Sequence, residues 1–216
     1  KGNIQMGFYA MGSHDIVQGT NCPIQDEGNN IIAQACYQIA KEFYIEPYDE
    51  HTGKGVLRHV IGRIGQSGWM IILVTATEHL PHQEKWVEKL TERVPQVETI
   101  VHNVNGKRTN VILGPKNTVL YGDGTITDHI KDLRFTLSPH SFFQVNPEQT
   151  TVLYDQALEY ADLKGNETVI DAYCGTGTIS LFLAHKAKHV IGIEIVEPAI
   201  INARENARHN GYDNTE

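Results

Sequence analysis

The segment from residue 168 to residue 209 constrains the fold most. An apolar stretch at 168–172 runs into the loop Asp171-Ala-Tyr-Cys-Gly-Thr-Gly177, and patterns typical of a helix, a strand and a second helix follow. This β-loop-α-β-α alternation predicts a parallel sheet with right-handed crossovers. Gly175 and Gly177 let the backbone turn tightly and approach a ligand without an intervening Cβ. We therefore expect a Rossmann-like α/β domain with a ligand site at this loop.

Two acidic residues indicate which ligand the loop binds. Asp171 ends the first strand, where its carboxylate would repel a pyrophosphate but attract a cationic amino-acid group. Glu194 ends the second strand, where a carboxylate can accept hydrogen bonds from both ribose hydroxyls. Ser180 stands where a dinucleotide fingerprint has its third Gly or Ala. The pattern favours S-adenosylmethionine, and a dinucleotide site or a purely structural turn remain alternatives.

Cys174 lies inside the glycine loop and has two interpretations. A cysteine there could act as a nucleophile, but no neighbouring His or Lys in the sequence would clearly lower its pKa. Cysteine also packs as a small buried hydrophobic residue. The second interpretation is favoured.

The region before the glycine loop predicts a different kind of domain. Short strands (4–10), an amphipathic helix (30–44), a β-hairpin (53–65 and 69–77), a second helix (83–94) and a strand (97–104) indicate an α+β unit. Only weak short strands are predicted between 118 and 135. A helix to about residue 161 is signalled by Asn146 as N-cap, Pro147 at its first position and Gln149 as the capping-box partner. We place the central α+β domain at 1–136 and the N-terminal part of a truncated Rossmann-like domain at 137–216.

Composition excludes several protein classes. The 216 residues include 18 Lys and Arg against 26 Asp and Glu, a formal charge of -8 that does not favour bulk phosphate binding. No apolar run approaches the roughly 18 to 20 residues of a membrane helix. The three cysteines form no CxxC pair, so a reduced, cytoplasmic protein is expected, with no membrane association and no protein partner evident.

Four sequence motifs together resemble the uracil-5 RNA methyltransferase family, in particular bacterial 23S ribosomal RNA (uracil-5) methyltransferases. They are Ser141-Phe-Phe-Gln-Val-Asn-Pro147, Val169-Ile-Asp-Ala-Tyr-Cys-Gly-Thr-Gly-Thr178, Gly192-Ile-Glu-Ile-Val-Glu-Pro-Ala199 with Asn202-Ala-Arg-Glu-Asn-Ala-Arg-His-Asn210, and Gly55-Val-Leu-Arg-His-Val-Ile-Gly-Arg63. The resemblance extends from about residue 4 to the end. It implies S-adenosylmethionine as cofactor, ribosomal RNA as partner and carbon 5 of uridine as the methylated atom.

The resemblance also implies roles for individual residues. Gln144 would contact the cofactor or the target uracil, and Phe142 would stack near the extruded base, although packing in the core is the alternative for Phe142 and Phe143. The remaining family positions would line or shape the cofactor pocket, and they are Asp171, Tyr173, Gly175, Gly177, Thr178 and Glu194. Tyr173 would lie against the adenosyl group.

The family mechanism implies groups that this sequence does not contain. A cysteine thiolate adds to carbon 6 of uracil, and carbon 5 then attacks the methyl sulfonium. A carboxylate base later removes the carbon 5 proton, and the cysteine leaves. The cysteine and the base both belong to motifs that lie later in the family sequence. Cys174 does not match the motif of the nucleophilic cysteine. The nucleophilic cysteine is therefore expected beyond Glu216, and the chain is expected to be an inactive fragment that lacks both ends, including an N-terminal RNA-binding barrel.

Cys22-Pro23 matches the fourth cysteine of the iron-sulfur motif that many family members carry. The other three clustered cysteines are missing, so a [4Fe-4S] cluster would require residues outside this chain. Two rival functions remain: methylation of uracil in transfer RNA, and RNA binding without catalysis.

Overall fold

The computed structural model describes residues 4–216. The chain divides into two compact units, Lys1–Ile126 and Thr127–Glu216. Within the described residues, no helix combines the length and the apolar character needed to cross a bilayer.

The N-terminal unit is a four-stranded sheet with two helices and a small hairpin. Its elements in chain order are β1 (Gly7–Tyr9), β2 (Ile16–Gln18), α1 (Glu27–Glu42), β3 (Leu57–Ile64), β4 (Trp69–Thr75), α2 (Gln83–Arg93), β5 (Val97–Val104) and β6 (Lys116–Tyr121). The sheet order is β3-β4-β5-β6, with only the β4–β5 pair parallel. β1 and β2 pair separately as an antiparallel hairpin.

The core of this unit lies between the sheet and its two helices. Ile71 and Leu73 of β4 pack with Trp86 and Leu90 of α2 and with Ile39 of α1 in one buried cluster. A continuous apolar run such as that of β4 predicts a strand buried on both faces, and every residue from 70 to 75 is buried. The predicted β3–β4 hairpin and α+β class are confirmed.

The α1 helix begins three residues earlier than its apolar periodicity predicts. Asp26 is the N-cap, and its side chain accepts a hydrogen bond of 2.7 Å from the Gly28 N–H. This cap satisfies one of the backbone donors that the first helical turn leaves without a partner.

The C-terminal unit combines a strand pair, three helices and a parallel pair of strands. Its elements are β7 (Ile126–Ile130), β8 (Leu133–Leu137), α3 (Pro147–Ala161), β9 (Thr168–Asp171), α4 (Thr178–Ala184), β10 (His189–Gly192) and α5 (Glu197–His209). β9 and β10 are parallel, with Val169 opposite Val190. The predicted β-loop-α-β-α order is confirmed.

The α3 helix starts where the sequence indicates. Asn146 is the N-cap, its side chain accepts a hydrogen bond of 3.1 Å from the Gln149 N–H, and Pro147 occupies the first turn. Tyr154 of α3 packs edge-on against Phe182 of α4, with ring centroids 5.1 Å apart. This contact joins α3 to the helix that follows the glycine loop.

The boundary between the units lies at 126/127, ten residues before the position expected from the sequence (136/137). The reason is that β8 bonds to α5. The Thr136 N–H donates to Asn206 Oδ1 at 2.8 Å, and the Arg134 N–H donates to Asn210 Oδ1 at 2.9 Å. A cut at 136/137 would divide β8 and separate Arg134 and Thr136 from α5, whereas the boundary at 126/127 separates only the first residue of β7 from the rest of that strand. The glycines and Asp128 near β8 obscure its pattern in the sequence.

Candidate cofactor site

The glycine loop, residues 171–177, connects the end of β9 to the start of α4. Gly175 has φ +55° and Gly177 has φ +82°, values that residues with a Cβ rarely adopt. A Cβ at position 175 would meet no atom within 4 Å, whereas one at 177 would lie 3.3 Å from Ala203 Cβ. The backbone at Gly175 therefore borders open space, and Gly177 packs closely on α5.

Asp171 is held in place at the end of β9. Ser180 Oγ donates a hydrogen bond of 2.6 Å to Asp171 Oδ2, and the Tyr173 N–H donates to Oδ1 at 3.4 Å. Ser180, which departs from the dinucleotide fingerprint in the sequence, thus fixes the orientation of the Asp171 carboxylate. An ionised carboxylate accepts several hydrogen bonds, so further acceptor capacity remains for a cationic group.

Glu194 closes the other side of the loop from the end of β10. Its Oε1 accepts hydrogen bonds from the N–H groups of Val196 (2.9 Å) and Ile195 (2.7 Å), and its Oε2 accepts one from the Gly175 N–H (3.2 Å). These bonds lower the pKa of Glu194, the Val196 N–H most of all. The side chain is therefore an anion that bridges β10 and the glycine loop.

Cys174 is buried inside the loop, where its environment opposes ionisation. Desolvation raises the pKa of its thiol, and the charges of Asp171 and Glu194 raise it further. A Cβ at Gly192 would lie 2.9 Å from the Cys174 sulfur, so the side chain packs directly on β10. The environment is that of a small packing residue and not of an activated nucleophile.

The two phenylalanines before α3 have opposite environments. Phe143 is buried and packs against Phe135, with ring centroids 5.7 Å apart. The Phe142 residue is 72% exposed, and its carbonyl accepts a hydrogen bond of 3.4 Å from Thr176 Oγ1. Core packing therefore describes Phe143, whereas Phe142 presents its ring outward beside the glycine loop. Gln144 is half-buried.

Tyr173 and Thr178 occupy different settings around the loop. Tyr173 is 92% exposed, so its ring is available to a ligand. Thr178 Oγ1 lies 3.0 Å from the hydroxyl of Tyr154, which places α3 against the first turn of α4. Thr178 thus has a structural contact besides the cofactor-lining role that the family resemblance implies.

Sequence reasoning missed the side chains that connect these segments. Asn206 Nδ2 on α5 donates a hydrogen bond of 3.0 Å to the carbonyl of Thr176 in the glycine loop. The available signal was the spacing of Asn202, Asn206 and Asn210, which places three poor helix formers on one helical face.

Cys22 lies in the N-terminal unit, in the segment before α1. Its backbone N–H donates a hydrogen bond of 2.8 Å to Asn30 Oδ1, and the residue is half-buried. Among residues 4–216, no group of three or more His, Cys, Asp and Glu side chains is placed to hold a metal ion. The residues present do not form an iron-sulfur site.

The residues around the glycine loop do match the chemistry of S-adenosylmethionine. A carboxylate at Asp171 suits the cationic amino group of that cofactor, carboxylate oxygens at Glu194 suit its ribose hydroxyls, and Gly175 leaves the backbone open to a ligand. These groups come from the carboxyl ends of two adjacent parallel strands, where open α/β sheets bind their ligands.

Comparison with known proteins agrees with this geometry. A family described as "Methyltransferase domain" matches residues 163–216. These residues have a methyltransferase fold. The matched segment contains the whole glycine loop together with Asp171, Ser180 and Glu194.

Similarity to named proteins extends over the whole chain. An uncharacterised RNA methyltransferase of Halalkalibacterium halodurans is 51% identical over 100% of this chain and 48% of its own length. One from Bacillus cereus is also 51% identical, over 100% of this chain and 47% of its own length. The chain thus spans about half the length of the curated relatives it matches.

A solved structure shares the fold of both units. The tRNA (uracil-54, C5)-methyltransferase of Pyrococcus abyssi, in complex with S-adenosyl-L-homocysteine, superposes with a TM-score of 0.79 at 25% identity. The match covers 96% of this chain and 50% of that protein. The mixed α/β architecture with a methyltransferase fold is thereby confirmed.

Proposed function

We propose that this chain forms the cofactor-binding part of an S-adenosylmethionine-dependent enzyme that methylates carbon 5 of uridine in 23S ribosomal RNA. The observation that carries the proposal is the pair of carboxylates, Asp171 and Glu194, which are held on opposite sides of the glycine loop. The same loop forms a hydrogen bond to the backbone carbonyl of Phe142. The cofactor site and the segment proposed to bind the base are therefore in direct contact.

Each residue of the candidate site has a proposed role in binding S-adenosylmethionine or the target base. S-adenosylmethionine, when bound, supplies an electrophilic methyl group. Asp171 attracts the amino group of the cofactor, Glu194 accepts its ribose hydroxyls, and Tyr173 covers the adenosyl group. The remaining cofactor-lining positions are Gly175, Gly177 and Thr178.

The target base would be held by the segment before α3. The exposed ring of Phe142 can stack on a flipped uracil, because aromatic faces stack on any base. The Gln144 amide offers one donor group and one acceptor, which match the edge of uracil. Stacking and amide hydrogen bonds of this kind recognise an extruded base without a strongly basic surface.

The nucleophile of the proposed reaction is a cysteine outside these 216 residues. Cys174 is unsuitable because its pKa is raised by burial and by two neighbouring carboxylates. Cys22 remains a candidate fourth ligand of a [4Fe-4S] cluster only if cysteines outside this chain supply the other three.

Transfer RNA is the second candidate substrate. The solved structure with a TM-score of 0.79 is named as a tRNA uracil-54 methyltransferase. That likeness supports carbon 5 of uridine as the target atom, and it is the observation that makes transfer RNA the second candidate.

The gene that encodes this chain should be deleted, and 5-methyluridine should then be mapped by mass spectrometry in ribosomal and transfer RNA. Loss of the modification from 23S ribosomal RNA supports the proposal. Loss from transfer RNA alone supports the second candidate, and unchanged 5-methyluridine in both RNA classes contradicts both.

Complementation tests the cofactor site in the same strain. The wild-type gene should restore the methyl group, and a gene carrying Asp171→Asn should not, because the amide lacks the charge proposed to bind the cofactor. Asp162→Asn is the matched control, since Asp162 is an exposed helix-end residue with φ +45°, a conformation that asparagine tolerates. The control should restore methylation fully.

A further inference from the structure

Two asparagines of α5, Asn202 and Asn206, and its C-cap residue Asn210 connect the helix to β8, to the segment before α3 and to the glycine loop. Asn202, Asn206 and Asn210 are four residues apart, so their side chains lie on one face. Asparagine is unfavourable in a helix because its amide competes for backbone hydrogen bonds. Side-chain contacts on this face must offset that cost.

Asn202 holds the turn that precedes Phe142. Its Nδ2 donates hydrogen bonds to Ser141 Oγ at 2.7 Å and to Ser138 Oγ at 3.0 Å. Ser141 Oγ in turn accepts a hydrogen bond of 2.8 Å from the Ser138 N–H. The turn 138–141 is thus fixed to α5 immediately before the Phe142–Gln144 segment.

Asn206 holds two segments at once, and it is completely buried. Its Oδ1 accepts the Thr136 N–H of β8 at 2.8 Å, and its Nδ2 donates to the Thr176 carbonyl of the glycine loop at 3.0 Å. Thr176 then donates through Oγ1 to the carbonyl of Phe142. A single amide therefore sets the spacing between the glycine loop and the strand leading to Phe142.

Asn210 bonds β8 in the same way but does not reach the loop. Its side chain accepts from the Arg134 N–H at 2.9 Å and donates to the Arg134 carbonyl at 2.7 Å and the Asn206 carbonyl at 2.8 Å. It is a matched comparison for Asn206, because both side chains bond α5 to β8.

We infer that Asn206 is a positioning residue that couples the cofactor loop to the base-binding segment. The inference rests on the proposed function, because it assigns the two segments to the cofactor and the base. A buried carbonyl that loses its donor is costly, so the loop of an Asn206 variant should shift to find another partner. Cofactor binding should then weaken although Asn206 does not touch the cofactor.

The test compares Asn206→Ala, Asn206→Asp, Asn210→Ala and Asn202→Ala in the complete product of the gene. Asn206→Asp retains the acceptor for the Thr136 N–H and replaces the donor to Thr176 with an oxygen, so it changes the loop contact selectively. Affinity for S-adenosylmethionine is measured by isothermal titration calorimetry, and thermal stability by differential scanning calorimetry.

Both Asn206 variants should raise the Kd for S-adenosylmethionine about ten-fold, the consequence of losing one well-formed buried hydrogen bond. Asn210→Ala should lower the melting temperature but leave the Kd within about two-fold of wild type. Asn202→Ala should raise the KM for RNA and leave the Kd for the cofactor unchanged, a separation that a general loss of stability would not produce.

The inference is overturned if a folded Asn206→Asp variant binds S-adenosylmethionine as tightly as wild type. It is also overturned if Asn210→Ala weakens binding as much as the Asn206 variants, since the effect would then be purely structural. Both results leave the proposed function intact. Wild-type protein that does not bind the cofactor would overturn the proposed function and this inference together.

Discussion

Cys22, Cys36 and Cys174 have three different environments. Cys22 is half-buried, whereas Cys36 lies on the buried face of α1 in the core and Cys174 is packed on β10. Burial raises the pKa of Cys36 to about 12, and burial with two carboxylates raises that of Cys174. Only a thiolate reacts readily with alkylating reagents, so the exposure of the sulfur and its ionisation together determine the rate of modification.

We predict that iodoacetamide at pH 8 modifies Cys22 first in the native protein. Cys36 and Cys174 should remain unmodified until the protein unfolds, because their thiols are buried and neutral. Peptide mass spectrometry after timed labelling measures the order. Labelling of Cys174 at a rate equal to that of Cys22 would contradict the packing described here.

His102 is a buried histidine on β5 that affects stability through its charge. Its Nε2 lies 2.7 Å from Thr75 Oγ1, and its pKa is lowered by desolvation, with smaller contributions from Lys116 and His79. The native state therefore binds fewer protons than the unfolded chain at mildly acidic pH. Where the unfolded state binds more protons, stability rises with pH.

We predict that the free energy of unfolding of the N-terminal unit decreases as the pH falls below about 6.5, the ordinary histidine pKa. The slope from this residue should reach at most about 1.4 kcal/mol per pH unit. Urea unfolding followed by tryptophan fluorescence is suitable, because Trp69 and Trp86 both lie in this unit.

The variant His102→Gln isolates the contribution of this histidine. It should flatten the dependence on pH, whereas the same change at His51, whose side chain is 74% exposed, should not. Equal slopes in wild type and His102→Gln would contradict the assignment.

At the scale of elements, the helices and strands with a regular apolar spacing were predictable from the sequence, and those with an irregular pattern were not. α1, α2 and the β3–β4 hairpin follow directly from apolar spacing, and α3 follows from its cap. β6, β7 and β8 lie in the region where glycines and Asp128 obscure the alternation. β6 pairs with the preceding strand β5, and β7 pairs with β8, whereas β8 also contacts α5, about seventy residues later in the chain.

The residues of the candidate site likewise include some that the sequence indicates and others that it does not. Asp171, Glu194 and the two glycines are placed by local strand-loop-helix geometry, so the sequence alone indicates them. Asn206 bonds to Thr136, seventy positions earlier in the chain. The spacing of Asn202, Asn206 and Asn210 marks one helix face but does not identify this partner.

The α2 helix depends on its apolar face for stability. Leu90 is completely buried against the sheet. We predict that Leu90→Ala lowers the free energy of unfolding by about 2–5 kcal/mol, the sum of lost burial and the cavity left behind. Urea unfolding measures the loss.

Lys85→Ala on the exposed face of α2 is the control. Lys85 pairs with Glu88 at 2.7 Å, and both side chains are more than half exposed, so its removal should change stability little. Equal losses for Leu90→Ala and Lys85→Ala would show that the apolar face does not stabilise the helix.

These 216 residues form an α+β unit and a unit with a methyltransferase fold. The similarity to RNA methyltransferases covers both units, since the relatives match 100% of the chain. The methyltransferase domain match begins at residue 163, so β8 and α3 precede it although they share a unit with the site. The net charge of -8 does not favour bulk phosphate binding.

The most direct test of the central claim is isothermal titration calorimetry of the purified protein with S-adenosylmethionine. We predict saturable binding by wild type and by Asp162→Asn. Affinity should fall about ten-fold or more in Asp171→Asn, because a charged contact to the amino group is lost. A folded wild-type protein that shows no binding, or an Asp171→Asn variant that binds as tightly as wild type, would contradict the account.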